Sequence, residues 1–175
     1  MEIRSRPVSG FTLLELMTAV ALVAILVAVA IPSYQSLRQE QMVRAATQAV
    51  YTDMMLLKSE AVKRNKNLSL NVFNSGLSNW CYRIAIDGSC TSCTDNCSSL
   101  EGRKGADASD FPGITLTSSY SGSAVTFSPR RGTLESGHIE LATNNYITQV
   151  VTYNTGRVYT CAPSNSLIGG ERVCP

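Results

Sequence analysis

The sequence predicts an α+β fold: one long N-terminal helix, transmembrane in its first half, packed on the antiparallel β-sheets of a small globular head. Three observations predict it. From Phe11 to Ile31 the chain is apolar or small except at Thr12, Glu15 and Thr18. Residues 35–64 contain no Gly or Pro and are dominated by Ala, Leu, Met, Gln, Glu, Lys and Arg, all strong helix formers. Beyond residue 67, Val, Ile, Thr, Tyr and Ser gather in short runs separated by Gly, Asn, Ser and Pro.

A chain of 175 residues holds one domain plus whatever anchor it carries. Fifteen Lys and Arg against thirteen Asp and Glu give a formal charge of +2, so bulk electrostatics imply no acidic partner and any nucleic-acid surface must be local. The apolar stretch is about 21 residues long, enough to cross a bilayer as a helix. Arg4 and Arg6 precede it, and the positive-inside rule then keeps the extreme N-terminus cytoplasmic and sends the rest of the chain outward. Glu15 lies inside this segment, where a charge costs roughly 2.5–3.5 kcal/mol on insertion scales, so it needs either to snorkel to the nearby membrane face or to find a partner.

The residues Ser9-Gly10-Phe11-Thr12-Leu13-Leu14-Glu15-Leu16 resemble the class III signal sequence of type IV pilins and type II secretion pseudopilins. The resemblance implies cleavage by a prepilin peptidase after Gly10, methylation of the new amino terminus on Phe11, and retention of the apolar helix as an anchor. It also implies that Glu15, the fifth residue of the mature chain, neutralises the N-terminal amine of a neighbouring subunit during assembly. Such a pair is physically reasonable, because opposite charges in a low-dielectric setting offset a desolvation that neither bears alone. The competing reading is an ordinary secretory signal cut after Ala28-Val29-Ala30; it leaves the carboxylate unexplained and places Pro32 just beyond the cut.

Pro32 is expected to break the helix, bending or loosening it at the membrane boundary; pilins resembling this chain carry a proline here. Past it, Val43, Ala46, Val50, Met54, Leu57 and Ala61 recur at three- and four-residue steps and draw one apolar stripe for the head's sheet. Helix over 11–64 would reach on the order of 80 Å at 1.5 Å per residue. Lys63-Arg64-Asn65-Lys66-Asn67 ends it. Seven short runs then read as strands: 68–73, 80–86, 114–118, 124–128, 138–141, 149–153 and 157–161, with a hairpin at Asn154-Thr155-Gly156 and loops at 74–78 and 88–112. The organisation expected is a cleaved leader over 1–10, a transmembrane assembly helix over 11–31, its periplasmic continuation over 32–66 and a β-rich head over 67–175.

All six cysteines, Cys81, Cys90, Cys93, Cys97, Cys161 and Cys174, follow the apolar run, where an exported chain would form disulfides. A zinc cluster of the first four is the rival, but no second Cys-x-x-Cys follows at zinc-ribbon spacing and the only histidine is the distant His138. A thioredoxin-like reading of Cys90-x-x-Cys93 fails because its setting is a loop by composition. Cys161 and Cys174 flank a turn-rich tail and are the favoured pair; pairing among the other four stays open.

The runs Ala124-Val-Thr-Phe-Ser-Pro-Arg-Arg-Gly, Gly137-His-Ile-Glu-Leu and Val150-Val-Thr-Tyr-Asn-Thr-Gly-Arg-Val are similar to the head shared by FimT, FimU and GspH minor pilins. The resemblance implies a minor pilin in the tip or initiation complex of a type IV pilus, supporting adhesion and twitching. Its partners would be other minor pilins, the major pilin, the prepilin peptidase and the inner membrane, and its head would be periplasmic before assembly and at the cell surface after it. Two alternatives are a GspH-like pseudopilin of type II secretion and a FimT-like DNA receptor in natural transformation. For the last, Arg130, Arg131 and Arg157 are the candidate contacts, though Tyr159 stands where the FimT-like Gly-Arg-x-Arg motif has its second arginine. With one histidine and no Gly-x-Ser-x-Gly or carboxylate pair in a recognisable frame, no enzyme is expected, nor a cofactor or metal; His138 reads as a partly buried strand residue.

Overall fold

The computed structural model describes residues 10–86, 90–95, 97, 104–166 and 168–175. By its internal contacts the chain divides into two units, one up to Arg38 and one from Gln39 to Pro175. Helix α1 (Leu13–Arg64) is assigned without interruption through Pro32, so the break expected there takes no such form. Proline forfeits one N–H, whose helical acceptor would be the Ala28 carbonyl, and the turns on either side remain helical. In the first unit every side chain from Gly10 to Arg38 is exposed. This helix is long and apolar enough to cross a membrane by length and composition.

In the second unit the remainder of α1 buries Val43, Ala46, Thr47, Val50, Met54, Leu57 and Ala61, the apolar stripe read from the sequence with Thr47 added. Thr47 is tolerated there because its hydroxyl bonds the Val43 carbonyl at 2.8 Å and meets the Thr148 hydroxyl. The helix ends on Asn65 at φ +52°. Lys66 N–H donates to the Ala61 carbonyl and Asn65 N–H to the Val62 carbonyl, each at 3.2 Å, which is a Schellman closure with asparagine in the left-handed position.

Nine described strands follow: β1 (Leu68–Phe73), β2 (Cys81–Ile86), β3 (Gly105–Asp107), β4 (Thr115–Ser118), β5 (Ala124–Ser128), β6 (Thr133–Leu134), β7 (Gly137–Ala142), β8 (Ile147–Thr152) and β9 (Val158–Cys161). They form two antiparallel sheets, one of five strands in the order β3-β2-β1-β5-β6 and one of four in the order β4-β7-β8-β9. Register places Leu70 between Ile84 and Val125 in the first sheet and Ile139 beside Val150 in the second. These side chains and the helical stripe belong to one core, so the prediction of a helix packed on antiparallel sheets holds. Two strands, β3 and β6, were not expected: they are three and two residues long, and Gly-Ala-Asp has little β-propensity.

The β8–β9 turn shows why glycine stands at 156. Gly156 N–H donates to the Tyr153 carbonyl and Tyr153 N–H to the Arg157 carbonyl, each at 2.9 Å, with Gly156 at φ +76°. That is a three-residue hairpin whose last residue is left-handed. A Cβ on Gly156 would lie 2.4 Å from the Gly132 carbonyl oxygen, so the 129–132 and 154–156 turns press directly on each other. Lys58 Nζ donates to the Gly156 carbonyl at 2.7 Å and ties the turn to α1.

Candidate functional site

The first candidate element is the start of α1. Gly10 is exposed, Phe11 is 82% exposed, and Thr12 caps the helix: Glu15 N–H donates to Thr12 Oγ1 at 3.2 Å, and Leu16 N–H to the Thr12 carbonyl at 3.1 Å. Thr12-x-x-Glu15 is the spacing of a capping box, a signal available in the sequence that a reading of Glu15 as a charge alone overlooks. Thr18 is also satisfied within the helix, its hydroxyl donating to the Glu15 carbonyl at 2.9 Å. Both threonines of the apolar segment are thus used locally, whereas among the described residues the Glu15 carboxylate is bonded to nothing. Arg4 and Arg6 lie outside the described residues.

The cysteines pair as Cys81–Cys93, Cys90–Cys97 and Cys161–Cys174. The four weighed as a zinc cluster therefore retain no thiolate for a metal. Cys81–Cys93 and Cys161–Cys174 close loops of 12 and 13 residues, each about 3 kcal/mol in the chain-entropy account. The last bridge holds the C-terminal segment against β9, where Ala162 N–H donates to the Arg172 carbonyl at 2.7 Å and Cys174 N–H to the Ala162 carbonyl at 3.0 Å. Arg44 of α1 pins the same segment through the Gly169 carbonyl at 2.5 Å and Glu171 at 3.3 Å.

Within the head, sequence reasoning missed two buried polar links. Arg83 is 1% exposed and donates to the Cys93 carbonyl (3.2 and 2.9 Å), the Tyr82 carbonyl (2.8 Å), the Ala106 carbonyl (3.0 Å) and the Asp107 carboxylate. It thereby fixes the cysteine-bearing loop to the edge of the five-stranded sheet. Alternation in Cys-Tyr-Arg-Ile-Ala-Ile hinted at one outward face, but β2 is buried on both. Asp53 of α1 accepts a hydrogen bond from the Tyr82 hydroxyl at 2.8 Å. Burial pushes the Asp53 carboxyl up, against the opposing effects of that bond and of Lys104; burial, with Asp53 beside it, raises the Tyr82 phenol strongly. Tyr120, buried and bonded to Thr152, is pushed up to about 12.

The arginines weighed as DNA contacts divide between two clefts. Arg130 and Arg131 line one with Asn65, Lys66, Asn67, Ser128 and Pro129. Arg157 lines another with Tyr153, Tyr159, Arg172 and Val173. His138 sits half-buried in β7, its backbone bonded to Ser119.

A capped, fully exposed apolar helix entered through Gly10-Phe11, continuing into a disulfide-bridged head of two antiparallel sheets, defines a pilin-like subunit. Residues 46–157 match the family described as type II transport protein GspH, and residues 5–31 match the prokaryotic N-terminal methylation motif. The chain belongs to the GspH family of pilin-like proteins. Two crystal structures of the type IV minor pilin FimU of Pseudomonas aeruginosa share its fold. One has a TM-score of 0.51 at 18% identity, covering 70% of this chain and 93% of that one. The other has a TM-score of 0.50 at 15% identity, covering 70% of this chain and 98% of that one. No curated protein matches.

Proposed function

We propose that this chain is a minor pilin of a type IV pilus, acting in the tip or initiation complex that primes fibre assembly, with a single membrane pass and a periplasmic head. The observation that carries the reading is the state of the apolar segment: exposed along its length, with its threonines satisfied and one carboxylate, Glu15, left without a bond among the described residues. A segment so arranged is suited to lipid first and to neighbouring helices later. In this mechanism peptidase cleavage after Gly10 creates a new amine on Phe11, which is methylated. The Glu15 carboxylate of one subunit then meets the amine of the next, and the head offers its surfaces to other minor pilins and to the major pilin. The fold shared with FimU, which is itself a type IV minor pilin, supports this version.

The family's description as a type II transport protein supports a rival with the same anchor and chemistry, a pseudopilin serving secretion. A clean deletion, scored in parallel for sheared surface pili and for secreted hydrolases with the gene restored in trans, separates the two. Loss of pili with normal secretion is the expected result; loss of secretion with normal pili transfers the protein to the secretion machine. Mass spectrometry of the mature chain should find methylated Phe11 at its N-terminus, and an N-terminus at Ile31 overturns the whole assignment.

A further inference from the structure

The outer face of the four-stranded sheet ends, at the β8–β9 hairpin, in a cluster of aromatic and basic side chains. Tyr153 and Tyr159 stack with ring centroids 5.7 Å apart and planes 16° from parallel, and their hydroxyls lie 3.0 Å apart. Arg157 faces Tyr153 across the hairpin, its guanidinium 6.0 Å from the Tyr159 ring centre. Arg172 and Val173 come in from the C-terminal segment, and the five residues enclose an open cleft of about 260 Å³. Tyr153 remains 39% exposed, and Val173 is exposed beside it.

The charge balance of this cleft is one-sided. Arg44, Arg64 and Arg83 each have a carboxylate partner, whereas among the described residues Arg157 and Arg172 form no ion pair. The nearest candidate for Arg172 in sequence, Glu171, is instead held by Arg44. Among the described residues, none that lines the cleft is acidic. Two guanidiniums offer hydrogen-bond donors in planar forks, the tyrosine pair retains one hydroxyl proton to donate, and the Tyr153 ring supplies an apolar plate.

We propose that this cleft binds one ring of an anionic saccharide chain, the carboxylate of a hexuronate pairing with Arg157 and Arg172 while the C–H face of the sugar lies on Tyr153. Nucleic acid fits less well. Its affinity grows with the number of phosphates neutralised, and two guanidiniums support a salt slope of only about −1.4 for a single strand. From residue 39 onward twelve Lys and Arg stand against eleven Asp and Glu, so the head adds little attracting field. A uronate needs one carboxylate clamp and one exposed ring, which is what the cleft provides.

The test is calorimetric titration of the full chain in detergent micelles with short oligogalacturonates, neutral oligogalactosides and a single-stranded oligothymidylate. Oligogalacturonate should bind, with the neutral oligomer about tenfold weaker or more. Arg157→Gln and Arg172→Gln should each weaken uronate binding about tenfold at unchanged thermal stability because these side chains are exposed, and Tyr153→Ala should weaken it several-fold. Arg130→Gln, in the other cleft, should leave binding unchanged. Silence toward uronate, equal binding of the neutral oligomer, or indifference to all three cleft variants overturns the proposal. So does oligothymidylate binding that Arg157→Gln and Arg172→Gln remove while uronate fails to compete, which would assign the cleft to nucleic acid.

Discussion

Replacing Arg83 by methionine tests whether one buried guanidinium organises the cysteine-bearing side of the head. Methionine keeps much of the apolar volume and removes every donor. The Tyr82 and Ala106 carbonyls belong to residues paired across β2 and β3, so the ladder covers part of their need. The Cys93 carbonyl and the Asp107 carboxylate depend on Arg83 more directly. Stranding a partly buried carbonyl costs about 1–3 kcal/mol, and losing a hydrogen bond to a charged group about 1.5–3 kcal/mol. Asp107 is 28% exposed and regains some hydration, so the lower ends apply and the total is about 2.5 kcal/mol. For a chain of this size that lowers Tm by roughly 5–10 °C. Trp80, the single tryptophan and 1% exposed, reports unfolding of this region by fluorescence in the full chain held in micelles. Asp107→Asn added to Arg83→Met should recover part of the loss, since it removes the carboxylate charge that Arg83 balances. The loss should grow when the disulfides are reduced, because the Cys81–Cys93 bridge otherwise keeps the loop near β2. A change in stability below about 0.5 kcal/mol, the ordinary range for surface substitutions, would refute the reasoning.

Three further outcomes follow from the same structure. Glu15→Leu should leave membrane insertion and cleavage intact while sharply reducing sheared filaments, and a normal filament yield in that mutant sinks the charge-pairing account. Asp53→Asn should stabilise the head at neutral pH. The native carboxyl lies above its ordinary 3.8, so the folded state binds more protons than the unfolded one and wild-type stability falls as pH rises through the folded value; asparagine still accepts from Tyr82 without that loss. The variant's advantage, read from urea melts, should therefore shrink as pH falls toward the ordinary carboxyl range. Gly156→Ala should cost about 2 kcal/mol or more from the left-handed backbone and the approach to the Gly132 carbonyl, while Gly169→Ala, facing open space, should be neutral by thermal melts.

What the sequence made legible was whatever depends on period and on local chemistry. The stripe from Val43 to Ala61 showed itself through three- and four-residue spacing, and the β8–β9 hairpin through Asn154-Thr155-Gly156, because both are set by backbone geometry over a few residues. Strands β3 and β6 escaped because two or three residues carry no period; they pair only because β2 and β5 present edges to them. Arg83 and the Asp53–Tyr82 link escaped for a related reason. Burying such groups is favourable only when partners distant in the chain arrive, 24 residues away for Arg83 and 29 for Tyr82. The cleft of Tyr153, Arg157, Tyr159 and Arg172 was half visible: three of its members share a hairpin, but the fourth comes from a segment that Cys161–Cys174 and Arg44 hold in place.

On the proposed reading, the two parts of the chain solve opposite problems. The head carries its own core, three disulfides and a helix closed by Asn65, so its free energy is settled within the subunit. The apolar segment settles nothing internally. Lipid chains are as apolar as its leucines and valines, so leaving lipid for neighbouring helices gains little from hydrophobicity and must be decided by packing and by polar groups. Residues 11–31 hold one ionisable group, Glu15, and the local hydroxyls are committed to the helix itself. A carboxylate whose burial costs up to roughly 2.5–3.5 kcal/mol at a helix centre, and less near the membrane face, is thus the one feature able to favour a single register against a neighbour's amine over all others. Snorkelling relieves that cost without choosing a register, whereas a neighbour's opposite charge relieves it in one alignment alone, which is why removing Glu15 should spare insertion and sharply reduce filaments.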